Sequence, residues 1–244
     1  MRDYKLETEK RIDFIKKILA ESRASGIVFG NSGGKDSALV GILCKMACEN
    51  TLGIIMPCES KANYTSDKAD GNLLAEKFNI ETRIIDLTAS KTAIVAALSE
   101  CASLNNQALI NIAPRLRMTS LYAVAAAENR IVAGTGNRSE LHMGYFTKWG
   151  DGGCDFNPIA DLTASEVFEF LRYLEAPASI IEKAPSAGLY EGQTDEKDMG
   201  ITYADIDNFL INGIISGENK AIIDRYHNSS NHKRTMPKWY GTSK

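Results

Sequence analysis

The chain has no apolar run near the roughly 20 residues that a membrane-spanning helix needs. Its first residues, Met1-Arg2-Asp3-Tyr4-Lys5-Leu6-Glu7, are charged and lack the apolar centre of a signal peptide, so the cytoplasm is the expected address. No CxxC pair is present, and the five cysteines are odd in number, which excludes a disulfide framework and a zinc ribbon. Cys44 and Cys48 share a helical spacing and read as small buried apolar side chains. Excess positive charge is also lacking: 28 Lys and Arg stand against 31 Asp and Glu, a net −3, so no broad field for nucleic acid exists. There is no internal repeat, low-complexity tract or linker, and residues 1–244 read as one domain with a helical C-terminal part.

What is there is an alternation of strands and helices. Apolar residues at helical spacing mark a helix over 3–24, and Gly26-Ile27-Val28-Phe29-Gly30 is a short apolar run, a buried strand. A helix follows from about Asp36 to Asn50, then a strand over Leu52–Met56 stopped by Pro57. A helix over 63–78 is expected to turn Leu73, Leu74 and Phe78 inward. Further on come a strand over Thr82–Asp86, an alanine-rich helix over 88–103, a helix over 115–129 and a strand over Arg130–Gly134. Thr163, with Glu166 three residues on, caps a helix through Leu174. Residues 184–198 read as a mobile loop, 202–212 and 218–230 as helices, and His232 to Lys244 as a basic, irregular tail. Strands alternating with helices predict an α/β fold with a doubly wound, mostly parallel sheet covered by helices on both faces.

Between the first strand and the second helix lies Asn31-Ser32-Gly33-Gly34-Lys35-Asp36-Ser37. A strand, a Ser/Gly loop and a helix start together make a phosphate site, because backbone N–H groups and the helix N-terminus carry positive potential. The loop is not a Walker A motif, since Gly34-Lys35 is followed by Asp36 where that motif has a hydroxyl. Nor is it G-x-G-x-x-G.

Ser32-Gly33-Gly34-Lys35-Asp36-Ser37 resembles the SGGxDS loop of ATP pyrophosphatases. Further segments resemble NAD synthetases in particular: Arg115-Leu116-Arg117-Met118, Gly134-Thr135-Gly136-Asn137-Arg138-Ser139-Glu140, the run Gly144 to Gly152, Pro185-Ser186-Ala187-Gly188-Leu189, Gly192-Gln193-Thr194-Asp195-Glu196 and His232-Lys233-Arg234. The resemblance covers nearly the whole chain. It implies an adenine nucleotide alpha hydrolase-like fold, a homodimer, and a ligase that takes ATP, deamido-NAD and ammonia with Mg²⁺ as cofactor. It implies that Gly30, Asn31, Ser32, Gly33, Gly34, Lys35, Asp36, Ser37, Thr135 and Ser186 contact ATP, and that Asp36 and Glu140 hold the metal. It implies that Arg115, Tyr145, Lys148, Asp155, His232 and Lys233 contact deamido-NAD, with Asp36, Glu140, Lys148 and Asp155 the catalytic set.

Ala164 departs from the pattern, because many relatives carry a phosphate-binding lysine there. Either Lys35 or another base replaces it, or ATP binds more weakly, and restoring lysine at 164 is then expected to lower the KM for ATP. Some NAD synthetases carry an N-terminal glutaminase; residues 1–25 leave no room for one, so free ammonia is the expected donor. Thiolating relatives of the loop need paired cysteines and a basic surface, and GMP-forming ones carry purine-specific segments; neither pattern is present. A non-catalytic nucleotide sensor on the same fold would have no use for both Asp36 and Glu140.

Overall fold

The structure, a computed structural model, describes residues 2–59, 64–184, 186 and 194–240. The chain order is α1 (Tyr4–Ser22), β1 (Gly26–Gly30), α2 (Lys35–Ala47), β2 (Thr51–Ile55), α3 (Ser66–Phe78), β3 (Glu81–Ile84), α4 (Thr88–Ser99), α5 (Asn106–Ile110), α6 (Ile112–Ala127) and β4 (Arg130–Ala133). Then come α7 (Arg138–Met143), α8 (Ala164–Tyr173), α9 (Ala178–Ile181), α10 (Asp195–Met199), α11 (Tyr203–Asn212), α12 (Gly217–Ser229) and α13 (Asn231–Arg234).

The four strands form one parallel sheet in the order β3-β2-β1-β4. Ile27 of β1 is level with Thr51 of β2 on one side and with Ile131 of β4 on the other. Strand side chains alternate between faces, so β1 feeds two cores. Ile27 and Phe29 pack with Ile15 of α1, Leu39 and Leu43 of α2, and Phe170 of α8. Val28 packs on the opposite face with Leu52, Ile54 and Val132, against Met118 and Leu121 of α6. This double burial is why the central strands read as unbroken apolar runs. A third cluster joins Met143 of α7 and Ala164 of α8 to Ile206 of α11 and Ile223 of α12. There the buried Asp207 carboxylate accepts bonds from Ser139 Oγ (2.5 Å) and from the Ser165 N–H (2.7 Å), so α11 fixes α7 against α8.

The structure departs from the sequence reading in several places. Leu73 of α3 is 44% exposed, because the buried stripe of that helix runs through Gly71, Leu74 and Ala75. Helix α4 stops at Ser99 and buries none of its side chains among the described residues. Part of the expected loop 184–198 is the helix α10, while 187–193 lie outside the described residues. The tail opens with α13, and Arg234 donates to Leu141 O, His142 O and Ser230 Oγ. Among the described residues no helix is long and apolar enough to cross a membrane.

His142 on α7 stacks on His227 of α12, ring centroids 4.2 Å apart. Burial, then the neighbouring His227 and the guanidinia of Arg234 and Arg138, pushes its pKa down to about 4. The fold therefore holds His142 neutral. Stability from this packing is fully present above the ordinary histidine value of about 6.5 and is lost as pH falls towards 4. The melting temperature of the native chain should fall over that interval, and that of His142→Gln should fall less. Parallel melting curves would remove the assignment.

Candidate active site

A cleft of about 1260 Å³ opens beyond the carboxyl ends of β1 and β4, where ligands of open parallel sheets bind. Its floor is the loop joining β1 to α2. Gly34 is the N-cap of α2 and brings no side chain to close the helix start. Gly34, Lys35, Asp36 and Ser37 instead line the cleft, which leaves an anion-attracting helix end facing it. The loop is shaped internally: the Ser32 and Ser37 hydroxyls lie 3.0 Å apart, and Ser37 Oγ donates to Gly34 O. Gly33 has φ +71°, and a Cβ there would lie 2.2 Å from the Asp67 carbonyl oxygen of α3. Only glycine lets the loop pass that close. The expected contact Asn31 also serves the scaffold: its side-chain amide donates to Gly71 O at 2.9 Å.

Asp36 and Glu140 come together from opposite halves of the cleft. Asp36 sits in the first turn of α2 and accepts from Asn137 Nδ2 (2.9 Å). Glu140 sits in the first turn of α7, its carboxylate accepting the Asn137 N–H while Asn137 caps the Glu140 N–H. Burial, and then the nearby Asp36 carboxylate, hold the Glu140 pKa well above the usual carboxylate range. Between the two acids lies the Lys35 ammonium, 2.5 Å from Asp36 and 4.0 Å from Glu140. Burial works against its charge, but Asp36 and Glu140, with Asp195 behind them, outweigh that and raise its pKa. Asp195, buried at the start of α10, accepts from the Tyr203 hydroxyl at 3.0 Å.

Thr135, Ser186, Tyr145 and Lys233 also line the cleft. The Tyr145 hydroxyl donates to Asp198. Lys233 donates to Gly144 O (2.8 Å) and Phe146 O (2.7 Å), so the tail braces the 144–146 turn. Gly144 makes that turn at φ +65°, where a Cβ would meet Ser230. The remaining expected residues are placed elsewhere. Arg115, Lys148 and His232 gather at the rim, Arg115 Nε donating to Lys148 O and Lys148 Nζ to His232 O (2.6 Å). Asp155 accepts from the Val132 N–H and the Tyr122 hydroxyl. None of these four is among the described cleft-lining residues.

The sequence reading missed several lining groups. Arg117 faces the cleft and bonds Met56 O. Lys183 pairs with Asp67 (2.7 Å) and Asp70 (2.8 Å), tying the segment after α9 to α3 at the cleft mouth. Arg117 was visible inside a recognised segment, whereas Lys183 carries no local signal.

Ala164 is 1% exposed, in the cluster of Met143 and Tyr203. One turn further along α8, the ring of Phe168 lies under the Lys35 ammonium, 5.7 Å away, with Tyr203 on another side at 5.5 Å. Lys35 thus already brings a cation to this region, and a lysine at 164 would enter a filled core beside a like charge. On this packing Ala164→Lys should lower the melting temperature by several degrees and leave the KM for ATP no lower, the opposite of the outcome expected from sequence. A lower KM in a stably folded variant would restore the original expectation.

A sequence model of the NAD synthase family matches residues 7–237. The NH(3)-dependent NAD(+) synthetase of Carboxydothermus hydrogenoformans is 48% identical over 234 residues, 95% of each chain. Among solved structures, an NMN synthetase from Francisella tularensis superposes with a TM-score of 0.93 at 38% identity, covering 99% of this chain and all of the other. An NH3-dependent NAD synthetase from Campylobacter jejuni gives 0.80 at 32% identity, covering 98% and 99%.

Proposed function

Because the chain belongs to the NAD synthase family, we propose that it is a ligase that joins ammonia to the nicotinate carboxylate of deamido-NAD, splitting ATP into AMP and pyrophosphate. The observation that carries this reading is the meeting of Asp36 and Glu140 around one cation beside the Ser32–Ser37 loop. A nicotinate carboxylate oxygen attacks the α-phosphorus, and the bond to the β-phosphate oxygen breaks, so pyrophosphate leaves. Ammonia then attacks the activated carbonyl carbon. AMP leaves with the carboxylate oxygen, the nitrogen loses a proton, and the amide remains.

The start of α2 faces the cleft before the reaction, so its helix-end potential would stabilise the charge developing on a departing pyrophosphate without reorganising. Thr135 and Ser186 offer hydroxyls to ATP, and the Arg117 guanidinium offers a fork to phosphate. Asp36 and Glu140 suit Mg²⁺: both are carboxylates, and they already share a cation. Bound there, Mg²⁺ would neutralise phosphoryl charge. Tyr145 and Lys233, which line the cleft, would contact deamido-NAD, Tyr145 at the nicotinate ring, and Arg115, Lys148, Asp155 and His232 would serve the rest of the dinucleotide. A second subunit would complete the site for them. Helix α4, which packs on α6, is in keeping with such a homodimer, because it leaves Ile94 and Leu98 exposed, as α6 leaves Tyr122. Equilibrium sedimentation is the direct check.

The test of function is a product assay with purified protein. NAD, AMP and pyrophosphate should appear with ammonium and hardly at all with glutamine; equal rates with glutamine would refute the ammonia assignment. A second reading has its own support. The Francisella tularensis protein, an NMN synthetase by name, is the closer match in shape of the two solved relatives, and four of the expected dinucleotide contacts lie off the cleft. Comparing kcat/KM for deamido-NAD with that for nicotinate mononucleotide decides between a dinucleotide and a mononucleotide acceptor.

A further inference from the structure

The Lys35 side chain is only 5% exposed, yet it carries its charge in the most acidic corner of the cleft. Asp36 holds it at 2.5 Å, Glu140 stands at 4.0 Å, and the faces of Phe168 and Tyr203 close its other sides. Both ring contacts are cation–π arrangements. The ammonium thus lies between the two carboxylates best suited to a divalent metal. A lysine and a divalent cation cannot both occupy that space.

We propose that Lys35 is a resident counter-ion for Asp36 and Glu140, which an entering divalent cation must displace, and that the displaced ammonium turns to the phosphate oxygens of the bound nucleotide. The proposal rests on the reading of Asp36 and Glu140 as metal-holding residues. Its physical basis is exchange of partners. While Lys35 neutralises Asp36, a bare metal ion must expel a buried ammonium that has, among the described residues, no carboxylate nearer than Asp36 and Glu140. When a polyphosphate lies on the Ser32–Ser37 loop, a new anion stands within reach of the same flexible side chain. Metal and nucleotide then enter together, and the pair of acids is never left without a positive partner. Such exchange makes metal affinity low alone and high with polyphosphate, and the difference belongs to Lys35.

The experiment measures Mn²⁺ binding to the whole chain by electron paramagnetic resonance, first with the metal alone and then with inorganic pyrophosphate. Lys35→Gln should bind the metal alone at least about tenfold more tightly than the native chain, equivalent to about 1.4 kcal/mol. Lys35→Arg, which keeps the charge, should bind it as weakly as the native chain. Pyrophosphate should strengthen metal binding in the native chain far more than in Lys35→Gln. Equal or weaker binding of the metal alone by Lys35→Gln overturns the proposal, and Asp36→Asn then tells which idea failed. If Asp36→Asn abolishes Mn²⁺ binding, the metal site stands and only the counter-ion role is lost. If Asp36→Asn binds Mn²⁺ as the native chain does, the metal reading falls as well. Should Lys35→Gln not fold, nitrogen-15 resonances of the lysine ammonium groups in the native chain decide. Adding metal and pyrophosphate must move the signal of Lys35, and an unmoved signal overturns the proposal.

Discussion

Asp36→Asn should reduce pyrophosphate release from ATP by roughly 10³-fold or more, the scale on which removing a single group that stabilises developing charge is felt. The fold should survive. Asp36 is part-buried at a helix start, and asparagine keeps its shape and its contact with Asn137. Removing its charge also relieves the repulsion that raises the Glu140 pKa, which offsets the partner lost by Lys35. Stopped-flow pyrophosphate detection and thermal melting read the two quantities separately. Near-normal turnover in the variant would end the assignment of Asp36 as a metal ligand. A melting temperature lowered by more than a few degrees would make Asp36 chiefly structural.

Gly33→Val should be the more destructive change. Its φ of +71° is costly for any β-branched side chain, and the Cβ would lie 2.2 Å from Asp67 O. Relief requires moving either the loop or the start of α3. Lys183 anchors that helix start to the far side of the mouth, so the disturbance reaches both walls. We expect a loss of about 1–3 kcal/mol in stability from strain alone, and no measurable ATP binding. Gly33→Asn separates the two causes. Asparagine tolerates positive φ but still carries a Cβ, so it should fail nearly as badly. ATP binding preserved in Gly33→Asn would show that conformational freedom, not closeness to Asp67, is what the loop needs.

The elements legible in the sequence were those with long periodic signals. Gly26–Gly30 was read to the residue because it is apolar between glycines, and double burial makes a parallel strand look that way. The helices α5, α9, α10 and α13 are not legible there, since four or five residues carry no amphipathic period. α4 was expected to run to 103 because alanine favours helix without saying where it stops. Leu73 was turned inward because one apolar residue beside Leu74 cannot be told from the next without the helix phase. In the site, the loop residues and Glu140 were legible as motif, and so was Lys35 as an ATP contact. That its ammonium stands between two acids was not legible, because it depends on how α2 and α7 meet. The placing of Asp155 against β4 and of Arg115 at the rim depends likewise on tertiary contacts.

The order of the strands bears on how the cleft comes into being. β1 has as one neighbour the adjacent β2 and as the other β4, which the chain supplies only after five further elements, α3, β3, α4, α5 and α6. The Ser32–Ser37 loop follows β1 and Thr135 follows β4, so the two halves of the nucleotide site meet only when that long loop closes. Closure of so remote a pair is slow and comes late. A partly folded chain with β1–β3 paired would hold the loop but not Glu140 or Thr135. Nucleotide therefore cannot template the fold. It should bind after closure is complete, leave the refolding rate unchanged and act by slowing the escape from the native state.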